Sequence, residues 1–124
     1  MVKKRILIVD DDEAVRTVLK DLLEDEGYIC ETAADGEDGL TKIKTQDFAL
    51  VLLDIKLPDM NGTDVLRSIR KIKPELTAIM ITGFPSRKTV EQSIGLEAFN
   101  YVTKPIDFKK LMSVIEVPAL FQPL

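Results

Sequence analysis

The stretch Phe48-Ala49-Leu50-Val51-Leu52-Leu53 is apolar at every position and closes on an acid, Asp54. A strand with one face in water alternates apolar and polar side chains. One that is apolar throughout must be covered on both faces, as in the middle of a parallel sheet. Sheets of that kind bind ligands at the carboxyl ends of their strands, which puts Asp54 where chemistry occurs. A second run, Ile6-Leu7-Ile8-Val9, likewise ends in acids, Asp10, Asp11 and Asp12. Two neighbouring strands ending this way bring several carboxylates together, and like charges that close need a cation between them.

The rest of the chain repeats the alternation. Strands are expected near 5–9, 28–33, 48–54, 78–82 and 99–103, and helices near 13–26, 36–45, 62–72, 86–94 and 106–116. Five βα units in succession define an α/β fold, a parallel sheet with helices on both faces. The first helix places Val15, Val18, Leu19, Leu22 and Leu23 on an inner face, with Asp12 as N-cap and Gly27 as its stop. Pro118 lacks an amide hydrogen, so the fifth helix is expected to end near Val117. That divides the 124 residues into one domain over 1–117 and a short apolar tail over 118–124, suited to folding back on the last helix or touching a partner. A chain of this length buries about two thirds of its unfolded surface and needs no staples.

Composition narrows the function. Cys30 stands alone, so it forms no internal disulfide and suits a reducing compartment. Histidine is absent, which removes the usual general base and any phosphohistidine step within this chain. The net charge is −4, and basic residues are scattered in short runs such as Lys3-Lys4-Arg5 and Lys109-Lys110 rather than gathered into a broad patch, which argues against DNA binding by this chain. No apolar segment approaches the roughly 18 residues of a membrane span, so no membrane association and a cytoplasmic location are expected. After the last unit only the short tail from Val117 follows, so no effector domain is expected and output is expected from the domain's own surface.

Four of the five expected strands end in polar residues: Asp10 and Asp11, Asp54, Thr82, and Lys104 directly after the fifth. Oxygen ligands in this number suit Mg²⁺, which takes one or two carboxylates and keeps several waters. Lys104 adds a fixed positive charge and Thr82 a hydroxyl donor. Such a set stabilises a phosphoryl group in transfer, where catalysis is mostly positioning and charge compensation. Attack by a carboxylate gives an acyl phosphate.

The run Ile6 to Glu13, the block Val51-Leu52-Leu53-Asp54-Ile55-Lys56-Leu57-Pro58-Asp59-Met60-Asn61-Gly62, then Ile81-Thr82-Gly83 and Tyr101-Val102-Thr103-Lys104-Pro105 resemble the receiver domain of two-component response regulators. The resemblance covers residues 5 to about 116. It implies a flavodoxin-like (βα)5 doubly wound sheet with strand order 2-1-3-4-5. It implies Asp54 as phosphoacceptor, Asp11 and the backbone carbonyl of Lys56 as Mg²⁺ ligands with Asp54, and Asp10 acting on the metal through water. Thr82 and Lys104 would hold the phosphoryl oxygens, and Pro105 would follow a cis peptide bond that aims the lysine. Gly83 leaves the approach to Asp54 open, while Lys56 and Phe84 would flank the acyl phosphate and prolong its life by obstructing water.

By the same resemblance, phosphorylation draws Thr82 toward Asp54 and lets Tyr101 rotate inward. The face of helix four, strand five and helix five then changes, here Lys88, Glu91, Gln92, Tyr101, Lys109 and Lys110. The implied partners are a sensor histidine kinase or phosphotransfer protein docking near Ala14, Val15 and Val18, and an unidentified downstream protein. The chain is expected as a stand-alone monomer or a phosphorylation-dependent dimer, catalysing only its own phosphorylation and slow dephosphorylation. Two alternatives remain. One is a phosphorylation-independent adaptor with the same fold. The other follows from Asp10-Asp11-Asp12, which also resembles the Asp-x-Asp opening of haloacid-dehalogenase-type phosphatases, with Asp10 as nucleophile and Asp12 as acid and base; that family has a further acidic pair after the lysine, where this chain offers Asp107 alone.

Overall fold

The computed structural model describes residues 4–83 and 85–121, with side chains through Glu116. Strands and helices alternate along the chain: β1 (Arg5–Val9), α1 (Glu13–Asp25), β2 (Ile29–Ala33), α2 (Gly36–Thr45), β3 (Leu50–Asp54), α3 (Gly62–Ile72), β4 (Thr77–Thr82), α4 (Arg87–Gly95), β5 (Asn100–Thr103) and α5 (Phe108–Phe121). The strands form one parallel sheet in the order β2-β1-β3-β4-β5.

Period-two alternation sorts the strand residues between two cores. Ile6, Ile8, Leu50, Leu52, Ile79 and Ile81 face one side, where Leu19 and Leu23 of α1 and Leu111, Met112 and Ile115 of α5 cover them. Leu7, Val9, Val51, Leu53, Ala78 and Met80 face the other, covered by Ile43 of α2 and Val65, Leu66 and Ile69 of α3. All five residues of β3 are buried, as a run apolar on both faces requires. Phe48 and Ala49 precede the strand proper, the Ala49 amide donating to the Arg5 carbonyl at 2.8 Å to lead the chain into register.

Local signals act as read. Asp12 caps α1 through the amides of Ala14 and Val15, and Gly27 takes φ +98° just beyond the helix, a conformation that favours glycine. Two expectations need correction. Val18 is 54% exposed rather than buried, because it borders an open groove between α1 and the segment Lys104 to Phe108. The fifth helix does not stop before Pro118: its backbone stays helical to Phe121. A proline there removes the single bond to the Val114 carbonyl, and the residues after it still find helical dihedrals. The side chains of the expected tail lie outside the described residues.

Candidate functional site

Strand register gathers the site. Val9 pairs with Leu53, so Asp10 leaves β1 beside the end of β3, where Asp54 is in register with Ile81 of β4. Thr82 ends β4 opposite Thr103, and the Lys104 amide donates to the Thr82 carbonyl at 2.7 Å. Asp10, Asp54 and Thr82 are all buried at the carboxyl rim of the sheet. The Lys104–Pro105 peptide bond is cis. Lys104 Nζ donates to Asp54 Oδ2 at 3.1 Å and lies 2.8 Å from Asp10 Oδ2. The second contact is a charge pair without hydrogen-bond alignment, and Asp10 Oδ2 is buried with no hydrogen-bond partner among the described residues. The other oxygens are held by backbone amides: Asp12 N–H donates to Asp10 Oδ1 at 2.9 Å and Lys56 N–H to Asp54 Oδ1 at 3.1 Å.

Burial raises the pKa of Asp54, the charge of Asp10 raises it further, and Lys104 and the Lys56 amide pull it back only in part. Burial lowers that of Lys104, yet its contacts with Asp10 and Asp54 outweigh burial and hold the ammonium protonated well into the alkaline range. One lysine therefore faces two buried carboxylates, with exposed Asp11 alongside. Oxygens of Asp10, Asp11 and Asp54 come within 4.8 Å of one another. The buried Asp10 oxygen, which meets Lys104 as a charge pair, and the excess of acid over base both fit a hard divalent cation, which takes oxygen ligands and offsets this charge.

The other expected residues fall into three groups. Lys56 and Gly83 are exposed near the site, a Cβ on Gly83 lying 3.9 Å from the Lys104 side chain; Phe84 lies outside the described residues. Asp12 is spent on capping α1 and so is not presented as the acid and base of a phosphatase. Tyr101 is half-buried against the α2/α3 side of the sheet, its hydroxyl 3.1 Å from Thr89 Oγ1. Around it Lys88, Glu91, Lys109 and Lys110 are exposed and Gln92 is half-buried. On the opposite flank Ala14, Val15, Val18 and Leu22 line a groove of about 320 Å³ with Pro105, Ile106 and Phe108.

Three supporting residues escape sequence reasoning. Gly62 starts α3 where a Cβ would stand 2.2 Å from the Asp54 carbonyl oxygen, so only glycine allows α3 this close to the site strand. Asp59 accepts from the amides of Gly36 and Glu37 at 2.8 and 2.9 Å, tying the loop after Asp54 to the start of α2; those amides hold its pKa down. Its partners are over twenty residues away, and no local pattern announces them. Arg16 reaches back from α1 to donate to the Asp10 carbonyl at 2.7 Å. A cation in the first turn of a helix, where the dipole disfavours it, was a readable hint.

A doubly wound sheet in this order, with buried acids, a hydroxyl and a lysine at its carboxyl rim, defines a CheY-like flavodoxin fold. Residues 6–116 match the family model of the response regulator receiver domain, and the chain belongs to that family. It is 34% identical over 111 residues to the transcriptional regulatory protein ZraR of Salmonella typhimurium, covering 90% of this chain and 25% of that protein. Against the transcriptional regulatory protein DltR of Streptococcus agalactiae it is 35% identical over 113 residues, covering 91% and 50%. The chain thus spans a quarter to a half of these curated relatives. Among solved structures, a CheY-like receiver domain protein from Methanospirillum hungatei superposes with TM-score 0.92 at 43% identity, over 94% of this chain and 93% of that one. TrrA from Thermotoga maritima, solved in complex with Mg²⁺-BeF, gives TM-score 0.85 at 36% identity over 93% and 98%. Receiver domains are signalling modules of two-component systems rather than enzymes in general, and they bind Mg²⁺ in an acidic pocket. Among the described residues no helix is long and apolar enough to cross a membrane.

Proposed function

We propose that Asp54 is the phosphoacceptor. The observation that carries this reading is the buried Asp54 carboxylate with Lys104 Nζ on one oxygen and the Lys56 amide on the other. A carboxylate oxygen of Asp54 attacks phosphorus; the new O–P bond forms as the bond from phosphorus to the donor breaks, and the leaving group departs with that electron pair. Lys104 neutralises one equatorial phosphoryl oxygen, and Thr82 donates its hydroxyl to another. Asp10, Asp11, Asp54 and the Lys56 carbonyl hold Mg²⁺, which supplies charge compensation for the phosphoryl oxygens when bound. Catalysis is confined to this self-phosphorylation and a slow self-dephosphorylation.

The donor is a sensor histidine kinase or a phosphotransfer protein. The groove of Ala14, Val15, Val18, Leu22, Pro105, Ile106 and Phe108 supports this, because it is apolar, open and adjacent to Lys104. The phosphorylated site draws in Thr82, and Tyr101 follows, altering the face of α4, β5 and α5 that a downstream protein reads. Lys56 and Phe84 obstruct attacking water; Lys56→Asn with Phe84→Ala should speed dephosphorylation, and an unchanged rate would remove that role. The family match over 6–116 supports a domain proper of 1–117, although the backbone of α5 runs on to Phe121, and the cytoplasm is its compartment.

Intact mass after incubation with acetyl phosphate and Mg²⁺ tests the central step. Native protein should gain one phosphoryl group, with no gain for Asp54→Asn or in the presence of chelator. Labelling that survives Asp54→Asn but not Asp10→Asn would put the nucleophile on β1 instead. No labelling together with no response to beryllofluoride would favour the adaptor.

A further inference from the structure

Asp10 lies one residue beyond the last paired position of β1, and its backbone is held from two sides. Its amide donates to the Ala33 carbonyl of β2 at 3.1 Å, and its carbonyl accepts from Arg16 Nη1 at 2.7 Å. The carbonyl of Asp10 and the amide of Asp11 belong to one planar peptide group, so whatever orients that carbonyl sets the direction in which Asp11 leaves. Arg16 thereby fixes the plane between the two acids whose carboxylates meet Asp54. Its position is costly on local grounds: a half-buried cation in the first turn of α1 opposes the helix dipole. A basic residue kept there, with its donor spent on a backbone carbonyl, has a reason beyond helix stability.

We propose that Arg16 is a positioning residue for the divalent cation, holding Asp10 and Asp11 in the relative orientation that lets both serve the metal site. The inference rests on the Mg²⁺ reading given above. Position and charge make opposite predictions. If Arg16 acted only through its charge, removing it would leave the acidic cluster more negative and tighten Mg²⁺ binding. If it acts by orienting the turn, removing it loosens binding.

Isothermal titration of Mg²⁺ into native protein, Arg16→Met and Arg16→Lys separates the two, with thermal melts in chelator run alongside and titrations made well below every melting temperature. Arg16→Met should weaken Mg²⁺ about tenfold, the scale of losing a partner that orients metal ligands. Arg16→Lys, which keeps a donor and the charge, should stay within about twofold of native by the same reasoning. The chelator melts should move little, since relief of the unfavourable dipole contact offsets the lost bond. Native-like or tighter binding by Arg16→Met overturns the proposal, as does equal weakening by Arg16→Met and Arg16→Lys. Failure of the native protein to bind Mg²⁺ would overturn the metal reading itself and this role with it.

Discussion

The phenol oxygen of Tyr101 on β5 lies within hydrogen-bond distance of Thr89 Oγ1 on α4, at 3.1 Å. The same Thr89 oxygen accepts from the Ser86 amide at 3.2 Å and lies 3.0 Å from both the Ser86 carbonyl oxygen and Ser86 Oγ. Ser86 and Thr89 form the capping box of α4, so the tyrosine grips the atom that closes the helix start.

Tyr101→Phe should therefore cost about 1 kcal/mol, the net value of one hydrogen bond. Thr89→Val should cost about 1–2 kcal/mol, because the cap goes with it. The double variant should fall short of the sum by roughly 0.5 kcal/mol or more, since both changes remove one shared bond. Urea denaturation measures all three, and strict additivity would show the contact to be idle.

Gly62 and Gly95 make a contrasting pair. A Cβ on Gly62 meets the Asp54 carbonyl oxygen at 2.2 Å and Ile55 Cα at 2.8 Å, both backbone, while one on Gly95 meets nothing within 4 Å. Gly62→Ala should destabilise by about 3 kcal/mol or more, at the upper end of overpacking costs, and should lower Asp54 phosphorylation by displacing its strand. Gly95→Ala should be neutral or stabilising by up to about 1 kcal/mol. Thermal melts and the mass assay read both.

For Asp54 the sign runs against the usual acid. Its folded pKa is raised, by burial first and by Asp10 second, so ionisation above that pKa opposes folding, and the penalty fades as pH falls toward the unfolded carboxyl range. In chelator near pH 7.5, Asp54→Asn should therefore melt above native. The gain should shrink steadily and be gone below about pH 4, where the unfolded carboxyl is itself protonated. Saturating Mg²⁺ should narrow the gap at neutral pH, because it binds the native site. A gain that grows on acidification would contradict this account.

At the far end of the sheet, Arg70 of α3 donates to four carbonyls: Nε to Leu96 at 2.7 Å, Nη1 to Pro74 at 3.2 Å and Leu76 at 2.7 Å, and Nη2 to Glu97 at 3.1 Å. Glu97 sits at φ +61°, so the clamp secures a turn that a non-glycine residue rarely adopts. Arg70→Met should cost about 2–4 kcal/mol, and Arg70→Lys should recover only part of it, since an ammonium cannot reproduce the planar fork. Full recovery by lysine in urea melts would mean that charge alone matters there.

Much of the architecture was legible because its signals are local or periodic. The unbroken apolar run before Asp54 demanded cover on both faces, Asp12 and Gly27 bounded α1, and the strand-end acids pointed to one rim. The likeness of four short motifs to receiver domains carried the strand order that alternation alone leaves open. Where reading failed, a local rule met a tertiary circumstance. Periodicity put Val18 inward, but the groove beside Pro105 and Phe108 leaves it uncovered, and the rule that proline ends helices overstated the loss of one bond at Pro118.

By itself, then, the sequence determined the βα alternation, the two-faced burial of the central strand and the kinds of group at the rim, since these depend on neighbours a few residues apart. Only the tertiary structure decided how those groups are held. Arg16 on the Asp10 carbonyl, Asp59 on the start of α2, Gly62 beneath Asp54 and Thr89 under the Tyr101 hydroxyl are contacts between separate elements. Such contacts depend on how helices pack on a twisted sheet, and no periodicity along the chain encodes which side chain will meet which backbone atom.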